Sequence, residues 1–298
     1  MPQDDVVVGI PTYRRPEWLD ELLSLLDSRQ QHGEDLTTSV LVVDNDPEAS
    51  AASVLARHPR VLGKHAPEGG LASVRNQILT SALAGDFRWL ALVDDDEMPE
   101  PHWVRELLRV AREYRADVVT GSLTVERPQD LTRLGRVVRQ RPVHPEGLYT
   151  GDILTGNCLV DLDVVRRTGA RFDDRFDFSG GEDTHFFRRL ARHGAVFGYA
   201  PGARVVERQD PSRFTDRDLL RRVFRSGQSS VRIEAALGEG KTWAHRALSL
   251  LAVTARTGVV APWLAARRRP EEALGHVLKV LRHLGRVAPA RASSSRYS

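Results

Sequence analysis

Cysteine is nearly missing from this chain. Cys158 is alone among 298 residues, so neither an intramolecular disulfide framework nor a cysteine-based zinc cluster can form. In the run Gly156-Asn157-Cys158-Leu159-Val160 it reads as a small core residue rather than a nucleophile. Lysine is also scarce, with Lys64, Lys241 and Lys279 the only three. There is no glycine-rich phosphate loop, neither a dinucleotide fingerprint nor a Walker motif. If a phosphate has to be neutralised, a cation must do it. Met1 to Asp5 lack a charged segment leading into an apolar run, so no signal peptide is expected and the chain is expected in the cytoplasm.

What is present is the composition of a globular protein long enough to bury a substantial core, as one large α/β domain or one domain with an appendage. The net charge is +3, unevenly spread. From Lys241 to Ser298 eleven Lys or Arg stand against Glu271 and Glu272, leaving the first 240 residues at −6. A basic tail on an acidic body suggests an anionic surface such as a membrane leaflet as partner. No nucleic-acid-binding module is recognisable, so nucleic acid is not an expected partner.

The most telling stretch is Trp89-Leu90-Ala91-Leu92-Val93-Asp94-Asp95-Asp96-Glu97-Met98-Pro99, an apolar run ending in four carboxylates. The run reads as a buried strand with the acids at its C-terminal end, where ligands bind in open α/β sheets. Adjacent aspartates repel, and a divalent cation shared with a diphosphate would hold them. The plainer reading is that these acids serve a helix N-terminus, with Pro99 and Pro101 marking a helix start near His102-Trp103.

Other segments add to this. Val6–Ile10 and Ser39–Val43 read as strands buried on both faces, and residues 60–63 as a short third strand. Helices are expected from about Pro16 and after Glu68-Gly69-Gly70, the second with Arg75 near its start. Alternating strand and helix imply a parallel sheet with crossovers. Thr12 with Arg14, Asp44, and Asp94 to Asp96 then converge on one edge as a nucleotide-type pocket. A strand is expected over 117–125, a mobile loop over 126–150 that could close over the site, and a strand over 151–160. Glu182 and Asp183 open a further helix, either as acids favouring its N-terminus or as a carboxylate base at the pocket mouth. His185 and His193 read as surface residues, not ligands. Short strands are expected at 195–199 and 203–206, then helices at 216–237, 243–258 and 271–286. Leu248 to Ala266 approaches spanning length, but Arg256, Gly258 and Pro262 favour a packed or interfacial helix over a transmembrane one.

Together these motifs resemble the inverting family 2 glycosyltransferases of the GT-A fold. The matching pieces are Val8-Gly9-Ile10-Pro11-Thr12-Tyr13-Arg14-Arg15-Pro16, Val42-Val43-Asp44-Asn45, Gly69 to Asn76, Asp94 to Pro99, Thr155-Gly156-Asn157 and Gly181-Glu182-Asp183. They fall in the family's order across roughly residues 5–210. The resemblance implies a Rossmann-like, mostly parallel sheet flanked by helices, with a catalytic domain over 1–212. Residues past about 215 match only a looser pattern of helical extensions seen in some members, read here as a helical extension over 213–290, and the end over 291–298 reads as a disordered tail. It implies a nucleoside-diphosphate-sugar donor and a hydroxyl-bearing acceptor. Pro11, Thr12, Tyr13 and Arg14 would line the nucleoside, and Asp44 and Arg75 would hold the base edge. Asp94 would contact the ribose or the metal, Asp95 the donor, and Asp96 would ligate Mn²⁺ or Mg²⁺. Asp183 or Glu182 would be the base. Glu207 stands where the family often has a metal-binding histidine, and is either a hard oxygen ligand or an arginine's partner.

Two other readings compete: a nucleotidyltransferase with a related sheet, and a non-catalytic binding module whose basic tail docks a membrane or partner. The C-terminal helices are candidates for a homodimer contact or for peripheral attachment to the inner face of the plasma membrane.

Overall fold

The computed structural model describes residues 6–31, 33, 38–85, 87–126, 131–138 and 142–288. The expected tail at 291–298 lies outside the described residues. The chain forms two compact units. Of the described residues, one runs to Thr124 and adds Val143–Arg208; the other joins Val125–Pro142 to residues 209–288.

The first unit is a mixed sheet between helical layers. Its elements in order are β1 (Val6–Thr12), α1 (Pro16–Gln31), β2 (Ser39–Asp44), α2 (Ala52–Arg57), β3 (Leu62–His65), α3 (Leu71–Ala84), β4 (Trp89–Leu92), β5 (Glu97–Pro99), α4 (Trp103–Glu113) and β6 (Val118–Val125). After α5 (Arg133–Val138), which belongs to the second unit, come β7 (Gly147–Leu148), β8 (Cys158–Asp161), α6 (Leu162–Thr168), α7 (Glu182–Arg192) and β9 (Phe197–Glu207). The strand order is β3-β2-β1-β4-β8-β6-β9-β5, with β7 on β9.

The strands β3, β2, β1 and β4 are parallel; β8 then runs antiparallel between β4 and β6. Side chains alternate across the sheet. Val6, Val8 and Ile10 pack toward α1 and α4, with Leu19, Leu22, Trp103 and Leu107. Val7, Leu41 and Val43 pack toward α3, α6 and α7, with Ile78, Val165 and Phe186. Burial on both faces is why these strands read as continuous apolar runs.

Several expectations need correction. Of the 151–160 segment only the last three residues pair as a strand, in β8, which runs on to Asp161. The two strands expected at 195–199 and 203–206 are one, β9, which continues through Pro201-Gly202 by changing partner. Gly198 and Tyr199 pair with β7, and Val205 to Glu207 with β5. His185 is not at the surface: it is 2% exposed and stacked on Phe176 at 5.1 Å. The segment expected as a mobile loop at 126–150 carries α5, whose Leu134 packs with Leu219 and Leu278 inside the second unit; within that segment, residues 127–130 and 139–141 lie outside the described residues.

The second unit consists of α5 with α8 (Asp216–Ala236), α9 (Trp243–Ala266) and α10 (Pro270–Val287). Helices α8 and α10 meet at glycines. A Cβ on Gly227 would lie 2.0 Å from the Arg282 carbonyl oxygen, and one on Gly285 2.1 Å from that of Phe224. Without side chains at these points the backbones approach closely, as small residues allow at tight helix crossings. Helix α9 extends eight residues beyond the expected end at 258, accommodating Pro262.

Candidate active site

The parallel register brings the polar strand tips together. Thr12 at the end of β1 pairs with Asp44 at the end of β2, and β4 lies on the other side of β1. The acids after β4 turn back toward them. Thr12 Oγ1 donates to Asp95 Oδ2 at 2.9 Å, and Arg15 Nη1 donates to Asp95 Oδ1 and Asp96 Oδ2, each at 2.8 Å. These acids are therefore not serving α4. That helix follows β5, and His102 before it supplies no side-chain cap.

Asp94, Asp96 and Glu97 form a crowded acidic turn. Asp94 N–H donates to Glu97 Oε2 at 2.9 Å, and Glu97 lies opposite Glu207 in the β5–β9 register. Burial, reinforced by the charge of Asp94, raises Asp96 to about 7, although Arg15 opposes the shift. Asp95 is raised by burial, and Glu97 well above the usual glutamate range by burial and then Asp94. Two arginines reach these four acids, Arg15 at Asp95 and Asp96 and Arg75 at Asp94, and Arg75 is shared with Glu182. Among the described residues no group of three or more His, Cys, Asp or Glu side chains is arranged to hold a metal ion. The donor set instead suits a hard cation bound through one or two carboxylates, with phosphate oxygens completing its shell.

Helix α3 carries the second half of the site. Gly70 sits just before it because a Cβ there would fall 2.4 Å from the Asp177 carbonyl oxygen. Asp177 in turn accepts Ser73 N–H at 2.8 Å and the Ser73 hydroxyl at 2.7 Å, so it satisfies an otherwise unpaired donor of the first helical turn. Asn76 exchanges two bonds with the Phe172 backbone, both 2.9 Å. Between them, Arg75 is buried, pairing with Glu182 at the start of α7 and with Asp94 Oδ1 at 3.3 Å. Helix α3 thus holds the 172–182 segment on one side and reaches the acidic turn on the other.

Glu182 and Asp183 are adjacent but differently placed. Glu182 is 5% exposed and committed to Arg75. Asp183 is half-buried, and its Oδ1 accepts Thr184 N–H at 2.6 Å. Burial and then the neighbouring Glu182 charge push Asp183 to about 7, with Arg75 acting in the opposite direction. A carboxyl poised there can accept a proton near neutrality.

Of the residues expected to line the pocket, Pro11 and Thr12 are buried at the strand tip, while Tyr13 and Arg14 lie beyond it. Arg14 adopts a left-handed backbone, φ 54°, and pairs with Asp46 at 3.0 Å. Asp44 uses both oxygens for its own turn, accepting Asp46 N–H and Ala51 N–H at 2.9 Å each. Arg75 lies with Glu182 and Asp94 rather than beside Asp44. Two buried polar atoms here, Asn45 Oδ1 and Arg75 Nε, lack a hydrogen-bond partner among the described residues; such atoms are places where a ligand's polar groups fit.

Sequence reasoning quoted Arg15 without a role and missed the Asp177 bracket altogether. Nor did it assign Thr155-Gly156-Asn157. Asn157 is fully buried with φ 59°. Its amide donates to the Ser122 and Ala203 carbonyls at 2.9 Å each, and its oxygen accepts Trp103 Nε1–H at 2.7 Å. It ties β6, β9 and α4 together behind the pocket.

The family model described as glycosyl transferase family 2 matches residues 7–166, and that of glycosyl transferase family group 2 matches 89–265. The succinoglycan biosynthesis protein ExoM of Rhizobium meliloti (strain 1021) is 33% identical over 282 residues, 91% of this chain and 89% of that protein. Among solved structures, the mannosyltransferase PcManGT of Pyrobaculum calidifontis, in complex with GDP-Man and Mn²⁺, superposes with a TM-score of 0.59 at 18% identity, covering 94% of this chain and 85% of that one. S. aureus TarS 1-349 in complex with UDP gives 0.54 at 13% identity, covering 94% and 90%. The chain spans 42% of a longer TarS chain. At these identities the structural matches establish the shared fold.

Proposed function

Because the chain belongs to glycosyl transferase family 2 and is a glycosyltransferase, we propose that it transfers a sugar from a nucleoside-diphosphate donor to an acceptor hydroxyl with inversion. The observation that carries this reading is the meeting of two groups at one sheet edge. Arg75 pairs with Asp94 of the acidic turn and with Glu182 at the start of α7, which brings the neighbouring Asp183 to the same edge.

Asp183 is the base. Its carboxylate takes the acceptor hydroxyl proton as that oxygen attacks the anomeric carbon. The bond from that carbon to the phosphate oxygen breaks, and the electron pair leaves with the nucleoside diphosphate. Glu182, buried on Arg75, positions α7 and raises Asp183 toward the working pH. General base action of this kind contributes about 10²–10⁴-fold.

Asp96, with Asp94 beside it, would hold Mn²⁺ or Mg²⁺. That ion supplies charge neutralisation on the departing diphosphate. Asp96, raised by burial and then by the Asp94 charge, offers with Asp94 the one or two carboxylates that suit an ion sharing its shell with substrate phosphates. Asp95, fixed by Thr12 and Arg15, shapes the donor side. Pro11 to Arg14, Asp44 and the unpartnered Asn45 Oδ1 line the nucleoside end.

The solved neighbours holding UDP and GDP-Man make UDP- and GDP-sugars the first donors to examine. The succinoglycan biosynthesis relative favours a saccharide acceptor. Titration calorimetry with UDP, GDP and dTDP, each with Mn²⁺ or EDTA, on wild type and Asp96→Asn tests the reading. One nucleotide should bind with metal and lose that dependence in Asp96→Asn. Failure of all three to bind under every condition overturns the pocket.

A further inference from the structure

We infer that the outward face of α9 and the basic cleft at its C-terminal end form a single docking surface for an anionic lipid bilayer. Helix α9 packs on α10 along one side, where Leu264 is buried and the Thr257 hydroxyl donates to the His276 carbonyl at 3.3 Å. At 3.6 residues per turn, Leu248, Leu251, Ala255, Val259 and Pro262 fall on the opposite side, and all are exposed. Leu248, Leu251 and Val259 are 66%, 65% and 74% exposed. A continuous apolar stripe turned outward marks an interaction surface. Trp243 and Trp263 bracket it, both at least half exposed and separated by about 30 Å of helix; such amphipathic rings settle at a membrane–water boundary.

Positive charge gathers at the C-terminal end of α9. Arg133, Arg136, Arg268, Arg269, His276 and Lys279 line an open cleft. Arg136 is paired with Glu271 and Arg269 with Glu272. Arg133, Arg268 and Lys279 have no acidic partner among the described residues. Arg267 stacks on the Trp263 ring at 4.3 Å, presenting an apolar body and a charged tip together. Apolar insertion and attraction to anionic headgroups add in amphipathic interfacial helices.

Two alternatives fit less well. A second copy pairing through the same stripe would bring like charge together in either orientation, because Lys241, His245 and Arg246 sit at one end of α9 and Arg267 to Arg269 at the other. A spanning α9 would carry Arg256 into the hydrocarbon, and with it α10 and its Lys279 and Arg282, which is costly for unpaired cations. A helix lying in the interface plane avoids both.

The full chain, mixed with vesicles of phosphatidylcholine alone or with phosphatidylglycerol, should sediment with the anionic vesicles at least about tenfold more strongly. Added salt should weaken that binding and alkaline carbonate should release it. Leu251→Ser with Val259→Ser, both exposed, should lower partition on every vesicle. Arg133→Glu with Arg268→Glu should abolish the preference for phosphatidylglycerol. Both pairs should leave circular dichroism and metal-dependent nucleotide binding unchanged. The docking surface is overturned by absent vesicle binding, by binding that neither pair alters, by carbonate resistance, or by light scattering that shows a dimer dissolved by Leu251→Ser. Vesicle binding is read without the donor pocket, so loss of nucleotide binding alone would count against the proposed reaction and not against this surface.

Discussion

Arg75, in the second turn of α3, and Glu182, the first residue of α7, form an ion pair with side chains only 4% and 6% exposed. Arg75 also reaches Asp94, so one guanidinium joins the acidic turn to α7. Removing one member of a buried pair leaves an uncompensated charge and costs about 3–5 kcal/mol. Arg75→Ala should therefore lower the urea midpoint markedly, while Glu182→Gln, which keeps a hydrogen-bond acceptor, should lose less. Equal and negligible losses from both would mean that the pair does not order α7.

With Asp183 as the proposed base, its charge state should make transfer pH-dependent. The base acts deprotonated, and its carboxyl is pushed to about 7 by burial and Glu182. The rate should rise as pH passes through about 7 and level above it. Asp183→Asn should reduce the rate by about 10²–10⁴-fold with little loss of fold. Because Arg75 pulls the Asp183 value down, Arg75→Met should move the limb of the profile to higher pH. A Glu182→Gln enzyme should move it lower, since a like charge has been removed. A profile fixed in all three variants would assign the base elsewhere.

The acidic turn makes a separate, thermodynamic prediction. Asp96 in the fold holds its proton more tightly than an unfolded aspartate does, with its value raised to about 7. Its contribution to stability is present at low pH and is lost as pH rises from the ordinary aspartate range through about 7. In EDTA above that pH, Asp96→Asn should melt higher than wild type, by roughly 1–3 kcal/mol of stability. Mn²⁺ with the cognate nucleotide should reverse the order. It should stabilise wild type by about 2.7 kcal/mol when present at a hundredfold excess over its dissociation constant, and the variant much less. Differential scanning fluorimetry across pH, with and without chelator, reads both effects.

How much of this was legible beforehand follows from the physics of each element. Strands β1, β2 and β4 showed as apolar runs because both of their faces are covered. Their tips showed as polar breaks, so Thr12, Asp44 and Asp94 to Asp96 could be placed on one edge. Strand β5 could not be read because its three residues, Glu97 to Pro99, are a carboxylate, a methionine and a proline. Helix α5 has only six residues and owes its order to tertiary packing, which outweighs propensity in short helices. The Ser73–Asp177 bracket joins residues 104 apart in sequence, and no local pattern announces it. The different surroundings of Glu182 and Asp183 had the same limit, since the pairing of Glu182 with Arg75 joins residues far apart in sequence.

Asn157 offers the sharpest division between building the site and acting in it. Its side chain makes three hydrogen bonds in a fully buried position, and its left-handed backbone suits Asn better than most residues. Asn157→Ala would strand the Trp103 indole N–H and leave the Ser122 and Ala203 carbonyls short of a donor, at about 1–3 kcal/mol for each unsatisfied group. The loss should reach several kcal/mol by denaturant titration. Trp103→Phe removes the indole donor together with its need for a partner, so the Asn157→Ala, Trp103→Phe double variant should cost less than the sum of the single losses, as directly bonded residues do. Where folded protein is recovered, metal-dependent nucleotide affinity should stay near wild type, because Asn157 touches β6, β9 and α4 rather than the acidic turn. Affinity that falls in proportion to stability would instead mean that the Asn157 brace sets the shape of the pocket itself.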